Sequence, residues 1–158
     1  MSSNSVCSSC GIHVYSIDES FIDATQYLEM YHTDAKSFAK KLMNEIAHKT
    51  RIPSTVGIGT NLYLAKIALD ITAKKSKDHM GYLNEELYRE TLWDHRPITD
   101  FWQIARGTAA RLQRFGIDTM RGIATFPEDV LYKAFGINAE LLIDHAWGRE
   151  SCLISAIK

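Results

Sequence analysis

Segments that favour β-strands occur only in the first 95 residues of this 158-residue chain, and this change of character most constrains its fold. Before residue 95, β-prone runs alternate with amphipathic helical segments in the order ββαβαβα, a pattern that predicts helices packed on a partial mixed or antiparallel sheet. Beyond Arg96-Pro97 the pattern predicts only short helices separated by glycine. We therefore expect an α+β unit over residues 12–95, followed by a small all-α unit of helix–turn–helix pairs over residues 96–158.

The composition excludes several classes of protein. A hydrophobic content of 46% excludes intrinsic disorder, and no stretch of uncharged apolar residues is long enough to predict a transmembrane helix. The net charge of −1 argues against binding to nucleic acid through overall charge. Residues 1–11 are Ser-rich and lack the basic start and apolar core of a signal peptide, so we expect a disordered lead-in and a cytoplasmic protein.

Positive charge is nevertheless concentrated in two places. One cluster lies along a predicted helix and its end, and the other lies in the all-α part; their members are Lys66, Lys74, Lys75 and Lys77, and Arg106, Arg111, Arg114 and Arg121. Two local patches on a neutral protein suit a polyanion that touches specific places. Two solvated helix faces would give the same pattern, so charge alone leaves both interpretations open.

The first motif that could carry chemistry is a predicted β-hairpin. Two β-prone runs, residues 13–17 and 21–25, flank Asp18, Glu19 and Ser20. Paired carboxylates at a hairpin tip can hold a divalent metal ion, provided that a turn or bulge brings both to the same side. The alternative is that Asp-Glu-Ser is simply a polar turn.

The second motif is a strand, two glycines and a helix start. Gly57 and Gly59 end a short β-run, and Thr60 or Asn61 is expected to cap a helix that extends to about residue 75. Free backbone amides at that helix start, together with Lys66 and Lys74 further along, can hold phosphate. A tight turn without a ligand would require the same residues.

The third motif is a predicted turn between two helices in the all-α part. Backbone amides that point outward beside arginines can hold a DNA phosphate without reading bases, and an ordinary helix connection is the alternative. The residues concerned are Ile104, Ala105, Arg106, Gly107, Thr108 and Arg111.

Two further patterns have structural consequences. Residues 115–118 and 135–138 repeat a Phe-Gly-Ile-Asp/Asn motif, which predicts a left-handed glycine at a helix end, a buried isoleucine and an Asp or Asn cap for the next helix. Cys7 and Cys10 form one CxxC pair near His13, but no second ligand pair follows at zinc-finger spacing. We therefore do not expect a zinc or redox site there.

The three motifs, in this order, resemble the Y-family translesion DNA polymerases, on the UmuC/ImpB-like bacterial side. The resemblance covers about residues 12–150 and is carried by three stretches: residues 14–21 (VYSIDESF), residues 57–68 (GIGTNLYLAKIA) and residues 100–109 (DFWQIARGTA). It implies that residues 12–95 are the C-terminal part of the palm domain. Residues 96–158 would then be the thumb, with its helix-hairpin-helix DNA contact.

The resemblance also implies roles for individual residues. Asp18 and Glu19 match the second and third catalytic carboxylates, which hold two Mg²⁺ ions in nucleotidyl transfer. Lys66 and Lys74 match lysines near the nucleotide phosphates or the template–primer backbone. The implied partners are template–primer DNA and deoxynucleoside triphosphates, in lesion bypass during DNA repair and the SOS response.

The chain also departs from the family pattern. A further metal-binding Asp, the fingers, the aromatic residue that excludes ribonucleotides and the C-terminal little finger have no counterpart in this sequence. We therefore expect a fragment that does not polymerise alone and has an exposed sheet edge through which it can self-associate. Contacts with a sliding clamp or recombinase filament would involve the absent regions. The alternative function is a non-catalytic helix-hairpin-helix DNA-binding module.

A second departure lies in the thumb turn. The family usually has Gly-Ile-Gly where this chain has Gln103, Ile104 and Ala105. Because Ala105 lacks the freedom of glycine at positive φ and brings a Cβ toward the backbone that should meet phosphate, we expect weak, salt-sensitive DNA binding, with Arg106 compensating by its charge.

Overall fold

The computed structural model describes residues 11–157, which form the mixed α+β fold that the sequence predicts. The lead-in, except for Gly11, and the Cys7–Cys10 pair lie outside the described residues. Within residues 11–157, no helix is both long enough and apolar enough to cross a membrane.

The first half contains four short strands and four α-helices. In chain order these are β1 (Ile12–Val14), β2 (Ser20–Ile22), α1 (Thr25–Met30), α2 (Ala35–Thr50), β3 (Val56–Gly59), α3 (Leu62–Ile67), β4 (Met80–Leu83) and α4 (Glu85–Leu92). Between α3 and β4 the helix continues as a π-helical turn over Ala68–Thr72 and a 3₁₀ turn over Ala73–Lys75. The expected hairpin and the expected strand–helix passage are therefore present.

The strands form two separate pairs instead of one sheet. β1 and β2 pair antiparallel with Ile12 opposite Ile22, whereas β3 and β4 pair parallel with Val56 opposite Met80. In residues 11–157 no main-chain ladder joins the two pairs. The hairpin meets the rest of the protein through side chains, and sequence periodicity carries no information on that kind of contact.

Helix α1 was not predicted. The β-prone run at residues 21–25 ends early because the Asp23 carboxylate accepts a hydrogen bond from the Thr25 backbone N–H at 3.1 Å and turns the chain. By contrast, three other helices begin at side-chain caps, and the cap expected at Thr60 or Asn61 is present at Asn61. The side chains of Asp34, Asn61 and Asn84 accept backbone N–H bonds at the starts of α2, α3 and α4.

The second half is all-α within the described residues. A 3₁₀ turn at Ile98–Asp100 is followed by α5 (Arg106–Gln113), α6 (Met120–Ala124), α7 (Glu128–Phe135), α8 (Asn138–Ala146) and a 3₁₀ turn at Ile154–Ala156.

The expectations for the repeated Phe-Gly-Ile motif are only partly met. Gly116 and Gly136 both have positive φ, as expected. Ile117 is buried, but Ile137 is 84% exposed because α8 begins immediately after it. The expected Asp and Asn caps are also wrong, since Thr119 caps α6 and α8 has no side-chain cap.

One hydrophobic core runs through both halves. It extends from Tyr63 and Leu64 in α3 through Phe101 to Leu131 in α7 and Ala146 in α8. Two ion pairs also span the expected boundary at residues 94–99: Asp94 with Arg121 and Arg96 with Asp118, both at 2.7 Å. The division into palm and thumb therefore stays a prediction, and the two parts share their apolar core.

Helix α3 lies unusually close to the parallel strand pair. A Cβ added at Gly57 would lie 2.2 Å from the Ala65 carbonyl oxygen, and one at Gly59 would lie 2.1 Å from the Ala65 nitrogen. A Cβ at Gly81 would lie 2.5 Å from the Ala68 carbonyl oxygen. Because backbone packs directly on backbone, the helix has little freedom to shift along the strands.

A polar cluster is buried in the centre of the core. Tyr63 donates a hydrogen bond to the Tyr88 hydroxyl at 3.1 Å, and Tyr88 donates to the His145 carbonyl oxygen at 2.9 Å. The His145 ring stacks on Tyr63 with centroids 4.0 Å apart, and its Nε2 lies 2.8 Å from Glu150. Burial lowers the pKa of His145, although its hydrogen bond to Glu150 opposes this shift.

The close packing of α3 predicts that Gly57→Ala strongly destabilises the protein. The added methyl group would overlap the Ala65 backbone, so we expect a loss of about 3 kcal/mol in the free energy of unfolding, the upper end for overpacking. Urea unfolding measures this loss. Gly107→Ala is the matched control, because nothing lies within 4 Å of its added Cβ, and a comparable loss there would contradict the steric account.

The buried histidine predicts a loss of stability in mild acid. His145 has a lowered pKa in the folded protein, so below about pH 6.5 the unfolded chain binds more protons and the free energy of unfolding falls. Above that pH this contribution is constant. Thermal unfolding at pH 7.5, 6.5 and 5.5 measures the effect, and His145→Gln should reduce its slope. An unchanged slope in His145→Gln would assign the pH dependence to other groups.

Candidate active site

The two predicted carboxylates lie at the tip of the β1–β2 hairpin. The Tyr15 and Ser16 backbone N–H groups both donate to the Glu19 carbonyl oxygen, at 2.9 and 3.0 Å, and close a tight turn. Asp18 is exposed and accepts a hydrogen bond from the Ser16 hydroxyl at 2.7 Å. Glu19 is largely buried, with 19% of its side chain exposed. The turn therefore gives the two carboxylates different environments.

Lys66 is buried between two carboxylates. Its Nζ lies 2.7 and 2.8 Å from the two Glu19 oxygens and 3.2 Å from both Asp70 oxygens, and 9% of its side chain is exposed. The Tyr15 ring centroid lies 5.5 Å from the same nitrogen. Burial alone would lower the pKa of Lys66, but the hydrogen bonds to Glu19 and Asp70 raise it, so the side chain is charged.

The two carboxylates of this tip differ in how far they are already paired within the protein. Glu19 Oε1 is buried and lies close to Lys66 without hydrogen-bond geometry, and Asp18 has one oxygen without a partner in the described chain. Over residues 11–157 no group of three or more His, Cys, Asp or Glu side chains is placed to hold a metal ion. Mg²⁺ commonly binds one or two carboxylates and completes its shell with water and phosphate oxygens, so the chemistry of Asp18 and Glu19 suits such an ion, while Lys66 holds the Glu19 carboxylate.

Lys74 lies on the other side of Asp70. It is exposed, has no ion pair with a described residue, and lines a cleft of about 550 Å³ together with Asp70, Ile71, Lys75, His95 and Asp100. The two lysines of the cleft, Lys74 and Lys75, are both exposed to solvent. Of the two lysines predicted to contact phosphate, Lys74 is therefore the accessible one, and Lys66 faces protein carboxylates.

The turn before α5 is held against the carboxylate hairpin. Trp102 donates a hydrogen bond from its indole nitrogen to the Tyr15 hydroxyl at 3.1 Å, and the two rings meet edge to face. Ile104 is buried in the core, whereas Ala105, Arg106 and Gly107 are exposed at the start of α5. The outward amides expected of a phosphate-binding turn are therefore those of residues 105–108.

The strained backbone of this turn lies at Gln103. Ala105 has φ −80° and therefore does not need the conformational freedom of glycine. Gln103 has φ +69°, in the left-handed region that favours glycine. The strained residue of this turn is therefore Gln103, two residues before Ala105.

Two of the four clustered arginines are used within the protein. The Arg111 guanidinium lies 4.4 Å from the Phe135 ring centroid and donates to the Ala134 carbonyl oxygen. Arg121 makes two hydrogen bonds to Asp94, at 2.7 and 2.8 Å. Arg106 and Arg114 have no ion pair with a described residue, so they are the cations of this cluster that remain available to a ligand.

Sequence reasoning missed three residues of this site. Asp70 follows Lys66 by four residues, and this i,i+4 spacing on a helix was a usable signal. Tyr15 and Trp102 are 87 residues apart, and nothing in a single sequence predicts their contact.

Comparisons with known proteins agree with this geometry. Residues 4–70 match the model of the impB/mucB/samB family. The chain is 37% identical over 145 residues to the putative UV-damage repair protein UvrX of Bacillus subtilis strain 168, covering 92% of this chain and 33% of that protein. It is 36% identical over 131 residues to DNA polymerase IV 2 of the same strain, covering 83% and 31%. Its fold is similar to that of DinB from Sulfolobus solfataricus, with a TM-score of 0.72 and 28% identity over 90% and 41% of the two chains.

The fold, the carboxylate hairpin and these similarities define the class of protein as the Y-family DNA polymerases. The chain corresponds to part of such a polymerase, and its residues 4–70 match the impB/mucB/samB family. It spans about a third of the length of UvrX and of DNA polymerase IV 2.

The position of the strain predicts that Gln103→Gly stabilises the protein. Removing the side chain relieves a left-handed residue, and we expect a gain of about 0.5–1 kcal/mol in the free energy of unfolding. Ala105→Gly is the matched substitution two residues later and should destabilise, because Ala105 has ordinary helical-entry φ. Urea unfolding of both variants measures this, and the opposite order would contradict the assignment of strain to Gln103.

Proposed function

We propose that this chain supplies two catalytic carboxylates and the adjoining DNA-binding helices of a DNA polymerase that copies past lesions in DNA repair. The observation that carries the proposal is the hairpin tip, where Asp18 and Glu19 stand beside the helix that bears Lys66. The relatives' names support it, because they include a UV-damage repair protein and a DNA polymerase. The activity of a whole polymerase is proposed here for the longer protein.

Asp18 and Glu19 would hold Mg²⁺ in the assembled enzyme. The metal would supply charge neutralisation for the triphosphate and activation of the primer 3′-hydroxyl. The role of the protein is to fix the two carboxylates on a short turn. Lys74, which is exposed beside the same helix, would contact phosphates of the incoming deoxynucleoside triphosphate or of the template–primer DNA.

Residues 96–158 would act as the thumb and contact the DNA backbone. The exposed start of α5 offers the amides of residues 105–108 and the side chain of Arg106, which has no ion pair with a described residue. Arg111 would act through the helix arrangement, because its guanidinium packs on Phe135. Because few charges are available, we expect weak binding that is lost as the salt concentration rises.

A second candidate is a DNA-binding module without catalytic activity. One observation favours it: Glu19, one of the two metal ligands proposed above, is already neutralised by Lys66. In that case Asp18 and Glu19 would have only a structural role, and the helical unit alone would carry the function.

Several other expectations stay predictions. They are a cytoplasmic location, contacts with a sliding clamp or recombinase filament through other regions, and self-association through a strand edge. Ile12, Val14 and Ile22 are exposed on the β1–β2 pair, which supports the last of these.

A primer-extension assay tests the polymerase proposal. It uses a labelled primer, Mg²⁺ and all four deoxynucleotides, and compares this chain alone with a version carrying a family-type N-terminal segment. We expect extension only in the longer version. Asp18→Ala or Glu19→Ala should reduce the rate of primer extension by about 100-fold or more. Mutating residues that only hydrogen-bond to metal ligands already lowers activity by up to about 100-fold.

The control is Asp129→Ala, an exposed carboxylate on α7 that pairs weakly with Lys133. Extension that survives both hairpin substitutions would contradict the catalytic assignment. If neither version extends a primer and both bind duplex DNA at low salt in an Arg106-dependent way, the binding module is the correct function. Extension by the shorter chain would show that these residues suffice.

A further inference from the structure

We propose that Lys66 is an internal counter-cation that holds Glu19 until a divalent metal ion binds, and that Asp70 is the positioning residue that receives Lys66 when it leaves. The inference rests on the proposed role of Glu19 as a metal ligand. It goes further in describing how access of the metal to that ligand is controlled.

The charge balance at this site calls for a second cation. One ammonium group, Lys66, lies between two carboxylates, so the trio carries one net negative charge. Asp70 is 28% exposed and shares its cleft with Lys74 and Lys75, whereas Glu19 is the more buried carboxylate, at 19%, and has Lys66 as its one cationic partner among the described residues. Asp18 adds another carboxylate at the neighbouring position of the turn. An uncompensated charge in a desolvated place is unfavourable, and a divalent ion beside Glu19 and Asp18 would offset it.

The distances show which carboxylate holds Lys66 more closely. Nζ lies 2.7–2.8 Å from the Glu19 oxygens and 3.2 Å from the Asp70 oxygens. The ammonium thus contacts both oxygens of Glu19, the atoms through which this carboxylate would bind a metal ion. A cation of either kind can neutralise that carboxylate, so Lys66 and the metal compete for it.

Asp70 makes the exchange possible. It follows Lys66 on the same helical segment, in the π-helical turn Ala68–Thr72, whereas Glu19 belongs to the hairpin. Lysine has a flexible four-carbon stem and can shift toward Asp70 without a change in the backbone. Without Asp70, releasing Glu19 would leave a buried ammonium group unpaired, which is strongly unfavourable.

The surrounding packing restricts the movement to side chains. Backbone contacts at Gly57 and Gly59 fix Ala65, the residue next to Lys66, against strand β3. The Tyr15 ring lies 5.5 Å from Nζ on the hairpin side and supports the cation there. The backbone of Lys66 therefore stays in place. Only its side chain can shift, and its ammonium group can pair with either Glu19 or Asp70.

The test measures binding of Mn²⁺ alone to this chain, without DNA or nucleotide, by the loss of the electron paramagnetic resonance signal of free Mn²⁺. Lys66→Met removes the competing cation and should bind Mn²⁺ about fivefold to tenfold more tightly. Asp70→Asn leaves Lys66 on Glu19 and should bind it about threefold to fivefold more weakly. A purely structural role would weaken binding in both variants.

The double variant separates the positioning role of Asp70 from direct binding. If Asp70 acts only through Lys66, then Asp70→Asn has no further effect in the Lys66→Met background, and the two substitutions are non-additive. Glu19→Gln should abolish saturable binding. Lys66→Arg keeps the charge and should not tighten binding, while Lys49→Met, at an exposed lysine of α2, and Asp129→Asn are matched controls for generic charge effects.

Three results would overturn the inference: unchanged or weaker binding in Lys66→Met, an undiminished Asp70→Asn effect in the double variant, or no saturable binding that depends on Glu19. Circular dichroism confirms that each variant is folded, and Lys66→Gln replaces Lys66→Met if the latter is not. The polymerase proposal fails separately. Absence of primer extension with this Mn²⁺ pattern intact refutes only that proposal, and extension without the pattern refutes only the counter-cation role.

Discussion

The buried ammonium of Lys66 is the interaction on which the site depends. It connects the hairpin, through Glu19, to the helical segment that carries Asp70, and it does so where no main-chain ladder joins the described strand pairs. A buried ion pair stabilises little by itself, but losing one partner leaves a charge that cannot be solvated. The pairing therefore specifies where the hairpin lies, and the same pairing determines how much of Glu19 is available to a metal ion.

The position of the Lys66 ammonium depends on direct contacts between the backbone of α3 and the backbone of the parallel strands. Glycines in β3 and β4 let α3 and its π-helical continuation approach closer than any side chain would permit. A π-helical turn widens a helix locally and is frequent at functional sites. In this chain it contains Asp70, so the departure from regular helix geometry coincides with the residue that pairs with Lys66.

A second connection joins the hairpin to the all-α part. Trp102 donates to Tyr15, and the Trp102 ring lies nearly parallel to that of His145 with centroids 6.4 Å apart. The His145 ring also stacks on Tyr63 in the core. The carboxylate tip and the exposed turn before α5 are thus fixed to the same buried aromatic cluster. For a protein proposed to hold DNA at one place and metal at another, a shared core keeps the two surfaces in a constant relation.

The sequence by itself determined the local elements: the cap at Asn61, the hairpin, the positive-φ glycines and the family resemblance, because each rests on residues close together in the chain. Only the tertiary structure decided that Lys66 lies between the Glu19 and Asp70 carboxylates. It also placed the strain at Gln103 and divided the strands into two pairs. These outcomes depend on contacts between distant segments, where burial and charge compensation outweigh the preference of any short stretch.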